Sequence, residues 1–346
     1  MSTRLTSESL TIALYAILDE PGDQAQKYLD ALDLFEHAER IGIDGVWVRQ
    51  FHLTREPRHA GLPSPFVFLA ALAARTTRLR LGTAAVTLPL ESPLRVAEDA
   101  AVLDALSGGR VELGIANGSG APGTAELLGR PPLGDVEDRK AAYAADVRRL
   151  TDGLRGADLD GTGATLTPPT VGLADRIWEA TLSDRSGRET GRRGNGVLLG
   201  TTQTVPAEVT ARAYFAGLED RGRTTGETVP RVGLATLIYP AVSRGAALRE
   251  ARDGIEQKYA WGKDFLPRAT TLAEKAASIN LHYGTSEQIL ESIHAQPAFP
   301  YATQLLVQTE LFYGSWNQRK DAIEQFATEV APALGWRCAL ATGVRA

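Results

Sequence analysis

Cysteine, methionine, histidine and lysine are scarce in this 346-residue chain, which has one Cys, one Met, five His and six Lys. A single thiol, Cys338, has no partner for an internal disulfide and builds no thiolate metal site. With so few histidines, a metal-hydrolase ligand set is not expected. The six lysines fall mostly in helix-period segments, away from the places where a Schiff base or a phosphate-gripping ammonium would sit. Long apolar runs are missing as well, since none approaches the roughly 20 residues of a membrane span. Residues 1–25 carry Glu8, Asp19, Glu20 and Asp23, which a secretory leader would not tolerate. Excess positive charge is absent: the formal net charge is −5, so nucleic acid is not an expected partner. The 34 Gly and 18 Pro follow no period, which removes collagenous and repeat architectures. What remains is a chain with 43% hydrophobic and 23% charged residues, enough apolar side chain to outweigh chain entropy. The expectation is a soluble, cytoplasmic protein without a metal site or a membrane partner.

Short apolar runs alternate with longer amphipathic ones along the whole chain. Strand patterns fall at 10–18, 46–48, 79–88, 111–116, 176–181, 196–200, 232–239 and 302–309. Helical periodicity follows them, at 28–41, 65–75, 93–106, 136–154, 187–194, 206–222, 244–259 and 316–330. Ser64 is a plausible N-cap and Ser107-Gly108-Gly109 a helix stop. Eight strand–helix repeats predict an α/β fold, a single (β/α)8 TIM barrel over residues 1–346 with insertions, one of them at about 152–175. An open doubly wound sheet is the alternative, but no GxGxxG follows the first strand, where a dinucleotide fingerprint belongs. The Gly-rich run 114–120 (GIANGSG) follows the fourth strand instead.

A barrel places its functional residues just past the strand ends. Those ends present Gln50, Phe51 and His52, then 84–90, 116–120, 183–186, 200–204, Tyr239 and 309–313. No GxSxG nucleophile elbow is present, and His52 is the one strand-end histidine. A rim this poor in acids, bases and nucleophiles suits an enzyme whose cofactor carries the reactive atoms.

The run 81–110, LGTAAVTLPLESPLRVAEDAAVLDALSGGR, resembles the bacterial luciferase-like, flavin-dependent monooxygenases, as do IGIDGVWV at 41–48 and the helix–strand pair at 188–199. The similarity covers about the first 200 residues; the rest matches in element order. The resemblance implies a cis Ala84–Ala85 peptide bulging against a flavin ring, with small side chains letting the backbone approach it. A buried strand that needs small residues for packing is the plain alternative. It further implies that FMN's phosphate is held by Ser183 and Ser186, where a strand turns into a helix whose positive end suits an anion. An ordinary Ser N-cap would look the same. Arg139 aligns with a phosphate-contacting arginine, or is a solvated helix residue. Asn117 stands where luciferase has another such arginine, with Arg185 a candidate substitute, and Ala116 replaces a cysteine beside the flavin.

The largest departure is at the second strand end, where luciferase's catalytic imidazole is replaced by Phe51. His52 remains as the candidate catalytic residue, a base or hydrogen-bond donor, with a structural histidine as the alternative. By resemblance the reaction is that of a two-component monooxygenase. A separate flavin reductase supplies reduced FMN, which reacts with O2 through a C4a-(hydro)peroxyflavin and oxygenates a small organic substrate. Segment 261–283 takes the place of an active-site lid, or is a fixed surface helix. A homodimer through helices 65–75 and 93–106 is implied too. Two rivals remain: a deazaflavin-dependent oxidoreductase on the same barrel, and a non-catalytic flavin-binding protein.

Overall fold

The computed structural model describes residues 10–19, 22–53, 61–118, 123–132, 134–201, 205–222, 229–263, 266–309, 315–338 and 340. Ten strands occur among them: β1 (Thr11–Ala16), β2 (Gly45–Val48), β3 (Arg80–Thr83), β4 (Val86–Thr87), β5 (Val111–Ala116), β6 (Ile177–Thr181), β7 (Gly196–Leu199), β8 (Val232–Pro240), β9 (Leu281–Gly284) and β10 (Gln304–Gln308). The fold is a (β/α)8 TIM barrel. β3 and β4 are two halves of one barrel strand, and β9 is an addition to the eight. Among the described residues no helix is long and apolar enough to cross a membrane.

The chain forms two compact units, each assembled from separate stretches: the described residues of Met1–Ala16, Asp33–Val46 and Thr181–Ala346, and those of Ile17–Leu32 and Trp47–Ala180. In the second unit β5 is the organising strand, pairing in parallel with β3, β4 and β6. Gly82 is required where it is, because a Cβ there would run into the Trp47 indole. Trp47 in turn meets Trp178 edge to face at 5.4 Å, and Trp178 Nε1 donates to Glu112 at 2.7 Å. The Arg80 guanidinium closes this group as an ion pair with Glu112. Arg110, 9% exposed, donates to the carbonyls of Ala73, Thr76, Leu79 and Ser107. Its guanidinium thereby satisfies carbonyls that the ends of helices Pro65–Ala73 and Pro93–Ser107 leave unpaired. The latter helix stops at Gly108, whose φ of +69° suits glycine. Ser64 occupies the N-cap of the former without a side-chain hydrogen bond. The insertion beyond Leu154 is a largely exposed loop, tied back by Thr170 Oγ1 donating to the Leu154 carbonyl at 2.6 Å.

In the first unit the nine-residue β8 serves three partners. Its lower part pairs with β7 and β10, its upper part with β9 through Leu237↔Leu281 to Pro240↔Gly284, and β10 pairs onward with β1. Between β8 and β9 lie helices Arg244–Glu250, Arg252–Gly262 and Leu272–Ser278, which bury their own cluster of Leu237, Tyr239, Ile255, Ala276, Ile279 and Leu281. Helices Asp184–Arg193 and Ala207–Asp220 touch backbone to backbone, because Gly191 and Gly217 carry no side chain to hold them apart. Arg188 and Arg192 both bond Asp220, and the Arg188 hydrogen bond is the main reason its carboxyl is held down at about 2.

β9 and helix Ser286–His294 are absent from the sequence-based expectation. β9 carries His282, 4% exposed, whose Nδ1 lies 2.8 Å from Ser292 Oγ while its Nε2 has no partner among the described residues. Burial pulls its pKa from 6.5 down to about 4. The unfolded chain therefore takes up a proton at this residue before the folded one does. Stability drains away as pH falls from 6.5 toward 4, by a limit of about 3 kcal/mol. Urea unfolding of wild type and His282→Leu at pH 7 and pH 4.5 checks this: the variant should lose clearly less stability on acidification. An equal loss in both would show that His282 is not buried in its neutral form.

Candidate active site

The third barrel strand is interrupted, and its register shows how. Gly82 pairs with Glu112 in β5, and Val86 pairs with Ile115. Four steps of chain on one side therefore face three on the other. The extra residue is a β-bulge at Ala84–Ala85, whose peptide bond is cis, as the resemblance implies. The break is bridged rather than left open. Ala84 N donates to the Val48 carbonyl at 2.8 Å. The Thr83 hydroxyl, fully buried, donates to the Gly114 carbonyl at 2.7 Å and accepts from Gly114 N at 2.9 Å. Every side chain at the bulge is a methyl group: Ala84 is half-buried, Ala85 is buried, and Ala116, at the end of β5, is half-buried.

Just beyond the bulge, Thr87 N donates to Gln50 Oε1 at 2.8 Å. Gln50, 6% exposed, sends its Nε2 to Glu91 Oε1 at 2.7 Å and to the Pro63 carbonyl at 3.4 Å. The same Glu91 oxygen lies 3.2 Å from His52 Nε2. An ionised carboxylate only accepts, so in the neutral imidazole this contact puts the proton on Nε2 and makes Nδ1 the acceptor. Glu91 sits on the short turn from Leu90 into helix Pro93–Ser107, where the helix end favours negative charge. Phe51 lies with the Arg49 guanidinium 5.7 Å from its ring centroid. A Cβ at Gly61 would come within 2.7 Å of Phe51 Cβ, so only glycine permits the return of the chain there.

The remaining expected residues fall as follows. Asn117 is exposed beside Ala116. Arg139 is half-buried in the first turn of helix Val136–Leu154 and makes no side-chain hydrogen bond or ion pair among the described residues. In the other unit, Ser183 caps helix Asp184–Arg193 by accepting from Ser186 N at 3.3 Å, and the two hydroxyls are 3.1 Å apart. Arg185 is exposed on that turn. Residues 119 and 120 of the Gly-rich run, 202–204, 310–313, and 264–265 of the expected lid lie outside the described residues. The rest of the lid segment is built in: Thr271 and Glu274 form a reciprocal cap, and the segment ends in β9. Gln50 and Glu91 are two candidate side chains that sequence reasoning left without a role. Glu91 was visible as an acid placed directly before a Ser-Pro helix start, but nothing in sequence brings it to Gln50 and His52.

A family model described as luciferase-like monooxygenase matches residues 8–331. The chain belongs to that family. The match extends well past the first 200 residues that carry the sequence resemblance. Among characterised relatives, the chain is 29% identical to limonene 1,2-monooxygenase of Rhodococcus erythropolis over 65% of this chain and 58% of that protein. It is 33% identical to the oxygenase component of the flavin-dependent trigonelline monooxygenase of Acinetobacter baylyi, over 32% of this chain and 30% of that one. These alignments span between about a third and three fifths of the relatives' own length. Of solved structures, the monooxygenase RslO1 of Streptomyces bottropensis superposes with a TM-score of 0.73 at 21% identity, covering 94% of this chain and 99% of that one.

For this family member the Glu91 oxygen is a structural requirement as well as a candidate functional one. Glu91→Ala leaves the buried Gln50 amide without its short acceptor and should cost about 1–3 kcal/mol of unfolding free energy. Glu91→Gln, which can still accept, should cost less. Chemical denaturation of the two variants measures both, and equal stability of Glu91→Ala and wild type would contradict the network.

Proposed function

We propose that this luciferase-like protein is the oxygenase component of a two-component flavin-dependent monooxygenase. It would take reduced FMN from a separate flavin reductase and use O2 to oxygenate a small organic substrate. The observation that supports this most is the one-residue bulge of the third strand, floored by Ala84, Ala85 and Ala116, because a flat tricyclic ring needs backbone within van der Waals reach and no side chain in between. By the resemblance, the Ser183–Ser186 turn would hold the phosphate of such a cofactor. It has two neighbouring hydroxyls at the positive end of a ten-residue helix, with Arg185 and Arg139 as supplementary cations and Asn117 in place of a third.

Bound reduced flavin supplies the electrons and the oxygen-activating atom; the chain's own residues bind, orient and keep water out. Gln50 and Glu91 are positioning residues. Together they hold His52 with Nε2–H engaged and Nδ1 free to accept a proton or a hydrogen bond from substrate. The helical insertion anchored on β9 is the element suited to restrict water access. In the reading proposed here the copies pair through helices Pro65–Ala73 and Pro93–Ser107, where Val67, Val102 and Leu106 are exposed. Exposed apolar side chains on these two helices support a partner surface there.

Two measurements test this. Anaerobic titration with photoreduced FMN, oxidised FMN and a deazaflavin should show tightest binding of reduced FMN. On mixing with oxygen, the bound cofactor should return to its oxidised spectrum more slowly than free reduced FMN. Tight deazaflavin binding with no effect on flavin reoxidation would favour the hydride-transfer rival, and binding without any substrate turnover the non-catalytic one. For the assembly, wild type should elute as a dimer in size-exclusion chromatography with light scattering, and Val67→Asp/Leu106→Asp as a folded monomer. A monomeric wild type would overturn the pairing.

A further inference from the structure

Gln308 ends β10 with its side chain completely buried, and neither its Oε1 nor its Nε2 has a hydrogen-bond partner among the described residues. Buried carboxamides are almost always paired, because water has been given up and nothing has replaced it. Two other polar side chains near strand carboxyl ends, Gln50 and Thr83, are satisfied. Gln50 engages both of its atoms, and the Thr83 hydroxyl both donates and accepts. Gln308 has no such recourse, since its register partner on β8 is Leu237. It lies at the carboxyl end of a barrel strand, the end at which ligands bind. Gln304, on the same face of β10 but at its opposite end, also buries an unpartnered Oε1. Four residues of strand, about 13 Å, separate the two, so Gln304 has the same burial without the same location.

We propose that Gln308 is a ligand-contacting residue whose carboxamide swings from this unpaired rest position to pair with the imide edge of the flavin ring. A carboxamide presents one acceptor and one donor side by side. An imide edge, a ring N–H flanked by carbonyls, presents the complement, so the Gln308 oxygen accepts from the ring N–H and its NH2 donates to the adjacent carbonyl. The three rotatable bonds of the glutamine stem give it the reach, and the unpaired amide favours the move. This inference rests on the flavin reading above. An organic substrate with a secondary amide or imide edge offers the same pattern, and the choice of flavin probes separates the two sources.

The test uses oxidised FMN and its N3-methyl analogue, in which the ring N–H is blocked, titrated calorimetrically into wild type, Gln308→Met and Gln304→Met. Thermal unfolding of the three without ligand runs alongside. Gln308→Met should melt above wild type, because an unpaired amide has left the interior, and should bind FMN about tenfold more weakly. Wild type should bind N3-methyl FMN about tenfold more weakly than FMN, and Gln308→Met should no longer distinguish them. Gln304→Met should melt higher too, yet bind FMN as wild type does. Equal affinity of wild type for the two flavins, or equal effects of the two substitutions on FMN binding, overturns the inference and leaves the flavin reading standing. Absence of binding of both oxidised and photoreduced FMN to wild type overturns both. If discrimination is lost only for an imide-bearing substrate, the partner is substrate and the flavin assignment is wrong. Should Gln308→Met not fold, the comparison of flavins on wild type still decides.

Discussion

Between Gly82 and Val86 the third strand carries one residue more than the strand it pairs with, and the chain has to absorb that residue without losing the ladder on either side. Much of the local sequence follows from this constraint. Thr83 replaces the missing backbone contacts with its hydroxyl, bonding both the N–H and the carbonyl of Gly114. Gln50 accepts from the second amide after the break, that of Thr87. Glu91 then holds Gln50, and through the same oxygen His52. The alanines at 84, 85 and 116 are what such a bulge leaves room for when the space above it is reserved for something other than side chains. Were the extra residue kept and the bulge straightened, Val86 would fall on the opposite face, because strand side chains alternate with period two.

A site built this way needs few reactive groups of its own. Its polar residues are mostly spent on holding one another: Gln50 on Glu91, Glu112 on Trp178 and Arg80, Glu179 on Tyr143. That economy agrees with the scarcity of histidine, cysteine and lysine in the chain, and with a family in which a cofactor supplies the reactive atoms. It also explains why the change from imidazole to Phe51 does not dismantle the strand end. Phe51 packs against Gly61 and Arg49, while His52 keeps its own carboxylate.

The barrel was legible because each β–α unit repeats a strong local pattern. β5 and helix Val136–Leu154 coincide with their sequence-based limits to the residue, since both begin and end at unambiguous signals: a glycine pair before β5, an Asp135 cap before the helix. Helix Asp184–Arg193 starts earlier than its periodicity suggests, because Ser183 caps it and Asp184 to Ser186 carry no apolar residue to register in a period. β9 was illegible for another reason. Four residues, LHYG, become a strand only because the upper half of β8 offers an unpaired edge, and that is a tertiary fact. In the candidate site the bulge was legible through the motif around Ala84–Ala85. The Gln50–Glu91–His52 cluster was not, because it joins residues 39 to 41 positions apart by a geometry that no local pattern encodes.

Two glutamines at the ends of barrel strands make the energetic point. Gln50 and Gln308 are the same side chain, similarly buried, yet one has every hydrogen bond it can reach and the other none. Chain entropy and apolar burial do not distinguish them, so the difference lies in what each amide is for. An amide that must hold a neighbour in place is worth most when fully paired, because any freedom would blur the position of His52. An amide that must meet a ligand is worth most when the folded protein has not already satisfied it, because every bond made at rest would have to be broken on binding. Stability alone would select a methionine or leucine at position 308, as it did at its register partner Leu237. On the proposal that Gln308 meets a ligand, the carboxamide there costs the fold stability and keeps a hydrogen-bonding edge available.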